Sequence, residues 1–232
     1  AASDVYKRQA KESGASAVKI QSYTADTMTI DSDSPEFLIK GGLWDGYTLY
    51  DLYKEAETPF EWHEELFSYA KEIDLTIFSS PFDETAVDML EELNTPAYKI
   101  ASFEIVDHVL IKRIAQTGKP VIISSGMASF QELQEAIDLL RNNGCNQICM
   151  LKCTSAYPAK PGDANLITMK DMAKKFNVVT GLSDHTLGIE VPITSVALGG
   201  CVIEKHFTLS KKMKGPDHKA SMEPKEFKEY VN

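Results

Sequence analysis

His185 and His206 lie 21 residues apart, and each closes a short run, GLSDH and EKH. Their type and spacing suit a shared divalent cation. Neighbouring strands lie about 4.8 Å apart, so imidazoles at equivalent ends of adjacent strands can meet at one ion. Two nitrogen donors with oxygen donors and open positions suit Mn²⁺, with Zn²⁺ and Fe²⁺ also compatible. Either histidine alone reads as a packing residue, and the pairing is what points to metal chemistry. Glu204 stands two residues before His206 and therefore on the same side of a strand. A carboxylate inside a fold is expensive without a partner. Glu204 is thus a candidate to bind the ion, hydrogen-bond a substrate or move a proton. Asp184, next to His185, is a candidate partner for an imidazole.

Lys19 and Lys99 lie inside the apolar runs AVKIQ and AYKIA. A lysine buried in a strand needs an anion. Ser80, Ser102, Ser124 and Ser183 fall at the C-terminal ends of such runs. Ammonium and hydroxyl groups gathered there would cradle a phosphate and a carboxylate. No Walker loop or dinucleotide fingerprint accompanies them, so neither a nucleoside triphosphate nor NAD is implied. Tyr157 and Asp217 lie just past strand-like runs and would contact a sugar hydroxyl or shape a loop. His63 and His108 fall in helical patterns and read as packing or surface residues.

Short runs at 17–21, 75–79, 97–101, 120–124, 147–152, 178–182 and 201–206 are rich in Val and Ile and bounded by turn residues. Amphipathic patterns at 59–73, 83–93, 108–116, 130–142, 167–176 and 188–198 alternate with them. Asp83, Asp107 and Ser129 sit where helix caps belong, and Gly118 and Gly144 where left-handed helix ends belong. The alternation predicts an α/β fold with a parallel sheet, most simply a (β/α)8 TIM barrel. A closed barrel has eight strands and seven are visible, so the expectation is that the first lies before residue 1. Residues 10–232 are assigned to the barrel and 1–9 are left unassigned. The long insertion 22–59 should sit on the C-terminal face, where βα loops build active sites. Its Trp44, Tyr47, Tyr50 and Tyr53 disfavour disorder.

The 232 residues are 43% hydrophobic and carry a net charge of −10. That charge argues against general nucleic-acid binding, and no run is long and apolar enough to span a membrane. Four cysteines in a chain of this size fit a reducing cytoplasm. Cys145, Cys149 and Cys153 are spaced unlike zinc or iron–sulfur ligands and read as ordinary buried thiols.

The strings GLSDHT at 181–186, EKHFT at 204–208 and GPD at 215–217 resemble the sialic acid synthase family. So do AVKIQ at 17–21, FSSPF at 78–82, YKIASFE at 98–104, ISSGM at 123–127 and CTSAYP at 153–158. Within it, YTAD at 23–26, the segment 39–53 and TPFEWH at 58–63 resemble the pseudaminic acid branch more than the neuraminate or legionaminate branches. The resemblance implies condensation of phosphoenolpyruvate with 2,4-diacetamido-2,4,6-trideoxy-L-altrose, in the making of a bacterial surface glycan. It implies that Lys19, Ser80, Lys99, Ser102, Ser124, Ser155 and Ser183 bind phosphoenolpyruvate. It implies that His185 and His206 hold Mn²⁺, and that Gln21, Tyr157, Glu204 and Asp217 face the sugar. Ser80 stands where many members have Thr, and Ser155 where neuraminate synthases often have Asn. The family's EIG-x-NH strand and its antifreeze-like domain, which lends an Arg to the partner of a homodimer, have no counterpart in this sequence. The expectation is therefore a chain impaired on its own. A two-histidine aldolase or hydrolase, and a non-catalytic sugar-phosphate-binding barrel, stand as alternatives.

Overall fold

The computed structural model describes residues 2–41, 44–213, 215 and 217–232. Gly42 and Leu43 of the insertion and Pro216 of the GPD string lie outside the described residues. The chain opens with α1 (Ala2–Glu12), β1 (Ala17–Ser22), α2 (Ala25–Met28), α3 (Leu49–Ala56) and α4 (His63–Glu72). There follow β2 (Thr76–Pro81), α5 (Glu84–Glu92), β3 (Tyr98–Ile100), α6 (His108–Ala115), β4 (Val121–Ser124) and α7 (Phe130–Asn142). It ends with β5 (Ile148–Cys153), α8 (Thr168–Phe176), β6 (Val179–Asp184), α9 (Glu190–Ala197), β7 (Ile203–Lys205) and α10 (Pro224–Val231).

The helices begin where their caps dictate. Asp83 accepts from the N–H groups of Thr85 and Ala86, and Asp107 from that of Leu110. Ser129 and Glu132 form a reciprocal capping box at α7. Gly118 and Gly144 take the expected positive φ of 71° and 104°. The segment 1–9, left unassigned by sequence, belongs largely to α1. That helix is fastened to α4 by Lys7 Nζ donating to the Leu66 carbonyl.

Among the described residues the sheet has seven strands, all parallel and in sequence order, with β1 and β7 at its edges. Alternation along each strand sorts its side chains. Tyr98 and Ile100 of β3, Val121 and Ile123 of β4, and Ile148 and Met150 of β5 pack outward against the helices. Lys99, Ser124 and Cys153 take the opposite parity and face the interior. The sheet is curled, since Lys19 on one edge strand and Glu204 on the other come within 3.9 Å. Gly181 lets β7 approach: a Cβ there would lie 2.1 Å from the Val202 carbonyl oxygen, which accepts from Leu182 N–H.

Two devices steady the strand ends. Tyr98 donates to Glu91 Oε1 at 2.7 Å and Lys119 donates to the same oxygen at 2.6 Å, tying β3 to α5. Burial alone would raise the Glu91 carboxyl, but these two donors hold it below its usual range. The insertion is closed at its neck. Buried His63 lies 2.7 Å from Ser22 Oγ, which lies 2.7 Å from Ser79 Oγ, and Ala25 N–H donates to Glu57. His63 is thus a packing residue, whereas the insertion itself carries α2, α3 and a small hairpin with Ile39 N–H donating to the Tyr47 carbonyl. Tyr53 packs edge-on against Tyr23, which packs on Phe82. No helix among the described residues is long and apolar enough to cross a membrane.

Ile137 of α7 is fully buried in the main apolar cluster. Ile137→Ala should lower unfolding stability by about 2–5 kcal/mol, read as a lower denaturant midpoint at unchanged slope.

Candidate active site

Register brings the ionisable groups together. Cys153 pairs with Ser183 and Ser183 with Glu204, so these three share one interior layer. Gln21 pairs with Ser80 on the neighbouring strands β1 and β2. Glu204 Oε1 lies 3.9 Å from Lys19 Nζ and 3.8 Å from Lys99 Nζ, and accepts a 3.4 Å hydrogen bond from Ser183. Burial would raise the Glu204 carboxyl, but the two ammonium groups and the two nearby imidazoles hold it below the usual range. Lys99, 2% exposed, donates to Ser124 Oγ at 2.8 Å. Burial and the Lys19 charge pull its ammonium down to about 8, against the opposing pull of Glu204.

The remaining serines divide. Ser80 Oγ is fully buried and has no hydrogen-bond partner among the described residues. Ser102 donates to Cys153 Sγ at 3.5 Å, and Ser155 Oγ lies 3.8 Å from the same sulfur. Gly126 makes room for Ser102, because a Cβ there would come within 2.2 Å of the serine Cβ.

The histidine rings face each other with centroids 5.3 Å apart. His185 Nδ1 lies 3.0 Å from the Thr154 carbonyl oxygen, which can only accept. Nδ1 therefore carries the proton and Nε2 keeps its lone pair for a metal. Burial pulls the His206 imidazole down to about 4 even though Asp217 Oδ2 lies 3.6 Å from its Nδ1, so the ring is neutral and ligand-ready near pH 7. Tyr157 is 55% exposed and packs against both rings, tilted to His185 with centroids 4.3 Å apart and edge-on to His206 at 5.5 Å. Among the described residues no three His, Cys, Asp or Glu groups form a ready-made metal cage. Two imidazoles at this spacing nevertheless fit a divalent cation completed by substrate oxygens and water.

Sequence reasoning placed one partner wrongly. Asp184 does not bond an imidazole: its side chain points to the far face of β6, toward Thr186, Lys205 and Tyr230. Two participants were missed. Cys153 read as an ordinary apolar-strand thiol, yet it is 3.9 Å from His185 Nδ1. Burial would raise that thiol, but hydrogen bonds from His185, Ser102 and Ser155 bring it down to about 7. Period-two parity with Leu151 was the available signal. Glu104, in the 3₁₀ turn Glu104–Val106 after β3, has a buried carboxylate oxygen without a partner among the described residues, and burial raises its carboxyl. Only the string YKIASFE hinted at it.

Fold and site define a class: a curled parallel α/β scaffold of barrel type with two lysines, a glutamate and two histidines gathered at the C-terminal strand ends. The pattern of the NeuB family matches residues 7–232. The chain is 52% identical over 221 residues to a pseudaminic acid synthase of Helicobacter pylori, covering 95% of this chain and 65% of that protein. It is 44% identical over 225 residues to a pseudaminic acid synthase of Campylobacter jejuni, covering 97% of this chain and 66% of that one. The solved N-acetylneuraminic acid synthetase of Leptospira borgpetersenii superposes with a TM-score of 0.87 at 30% identity, over 99% of this chain and 75% of that one. This chain belongs to the NeuB family, and it spans just under two thirds of the length of the two synthases.

Because Glu204 is what props up the Lys99 ammonium, Glu204→Gln should drop Lys99 below about 8. A lysine-ζ NMR titration checks this, and an unmoved midpoint contradicts the contact.

Proposed function

We propose that the protein carrying this chain condenses phosphoenolpyruvate with an amino-sugar aldehyde and water, giving a nonulosonic acid and phosphate. The sugar is 2,4-diacetamido-2,4,6-trideoxy-L-altrose and the product pseudaminic acid, a reading supported by the insertion strings and by the 52% identity to the Helicobacter synthase. The observation that carries the reaction type is the pair Lys19 and Lys99, converging on one carboxylate beside two imidazoles. Production of a surface glycan precursor from phosphoenolpyruvate places the protein in the cytoplasm, and a homodimer is the assembly we propose for its full length.

Lys19 and Lys99 bind the phosphate and carboxylate of phosphoenolpyruvate, with Ser80, Ser102, Ser124, Ser155 and Ser183 as hydroxyl donors. The orphaned Ser80 hydroxyl supports that placement. His185 and His206 hold the divalent cation, Mn²⁺ in this proposal, which supplies Lewis acidity to the aldehyde carbonyl. Gln21, Tyr157 and Asp217 orient the sugar at the rim. The methylene carbon of phosphoenolpyruvate forms the new bond to the aldehyde carbon. Water adds to the neighbouring carbon as cationic character develops there, and the resulting tetrahedral intermediate loses phosphate by C–O cleavage. Glu204, kept ionised by its lysines, accepts the proton released by that water, while the ammonium groups stabilise the departing phosphate.

The complete protein should release phosphate when given Mn²⁺, phosphoenolpyruvate and the altrose-type aldehyde. Lys99→Met should lower kcat/KM by at least about 10²-fold, the usual effect of losing one charge-stabilising donor. Absence of phosphate release with every nonulosonate precursor tried would reject the proposal. Faster turnover of the mannose-type precursor would reassign the sugar.

A further inference from the structure

The buried cluster on the back of β6 and β7 is not part of the pocket, yet it touches both histidines through the chain. Asp184 pairs with Lys205 across the two strands, one step beyond the Ser183–Glu204 pair and one step before the two imidazoles. Their side chains are 0% and 2% exposed and 3.0 Å apart. Asp184 Oδ1 accepts from the Thr186 N–H at 2.9 Å and the Thr186 hydroxyl at 2.7 Å. Its Oδ2 accepts from Lys205 Nζ and, at 3.0 Å, from the Tyr230 hydroxyl of α10. Lys205 also donates to the Thr186 carbonyl. The residues before and after His185, and the residue before His206, are therefore locked in one network.

β7 is a three-residue strand at the sheet edge among the described residues, paired with β6 at three positions, and just beyond it Met222 bonds the His206 carbonyl and the Thr208 N–H. A slip of one residue would turn every side chain to the other face and carry His206 away from His185. A buried ion pair is weak at adding stability and better suited to selecting one arrangement over others. We infer that the Asp184–Lys205–Tyr230 network fixes the register of β7 and so sets the spacing of the His185 and His206 rings. These three are positioning residues, since none touches the pocket. The consequence for metal binding rests on the two-histidine reading above.

Tyr230→Phe removes one hydrogen bond and no bulk. It should raise the dissociation constant for Mn²⁺ alone about tenfold, the lower range for loss of a group that orients metal ligands. In the metal-free protein it should shift the ring ¹⁵N signals of His185 and His206, leave those of buried His63 in place and leave the melting curve near wild type. The exchange Asp184→Asn with Lys205→Met should do the same more strongly. If that exchange prevents folding, Tyr230→Phe decides. Lys211→Met loosens the other end of α10, where Lys211 bonds Glu226, and should move neither ring nor affinity. The inference is overturned if Tyr230→Phe leaves the rings and the Mn²⁺ affinity unchanged, or if Lys211→Met produces the same losses. A wild-type chain that fails to bind Mn²⁺ overturns the metal reading instead, and the ring signals still decide the positioning role.

Discussion

One carboxylate between two ammonium groups organises the interior. Lys19 from β1 and Lys99 from β3 both close on Glu204 of β7, so three strands spread across the sheet meet at one oxygen. Without Glu204, two like charges would share a poorly solvated space; without the lysines, a carboxylate would be stranded there. The triad makes curling the sheet electrostatically favourable, and it does so with charges that an incoming anion can also use. Structural support and a local positive charge thus come from the same two side chains.

The local charge differs in sign from the global one. A chain of net charge −10 has no general attraction for anions. Yet the lumen holds two lysines against one glutamate, and both imidazoles sit nearby. Surface carboxylates are screened within about 8 Å at physiological salt, while the partly dry interior is not. Recognition of a small anion therefore falls to short-range contacts and hydroxyl geometry rather than long-range steering.

Much of this was legible in the residues. Strand positions followed from Val- and Ile-rich runs, and helix starts from Asp83, Asp107 and Ser129, because these signals act within a few residues of one another. Lys19, Lys99, Glu204 and the histidine pair were legible because buried charge is expensive and therefore conspicuous. What escaped depends on contacts distant in sequence. Asp184 and Tyr230 are 46 residues apart, and nothing local in either foretells their bond. Cys153 looked like one more apolar strand residue, since its perturbation arises only when Ser102 and His185, both distant in sequence, join nearby Ser155 around the sulfur. The helix α1 was unassigned because its pattern is largely polar, and its docking relies on lysine and arginine reaching backbone and tyrosine oxygens.

The clasp at the base of the insertion has a bearing on how this scaffold diversifies. Ser22, Ser79 and His63 bond across the point where the chain leaves the sheet and returns to it, and Glu57 ties down the first helical turn beyond. Everything between is suspended from a fixed neck. Lengthening such a segment costs only slowly rising closure entropy. Substitutions among its aromatic and acidic residues can reshape the insertion while leaving the strand ends, and the side chains on them, where they are. Variation in the insertion and constancy at the strand ends are thereby made separately heritable within a single chain.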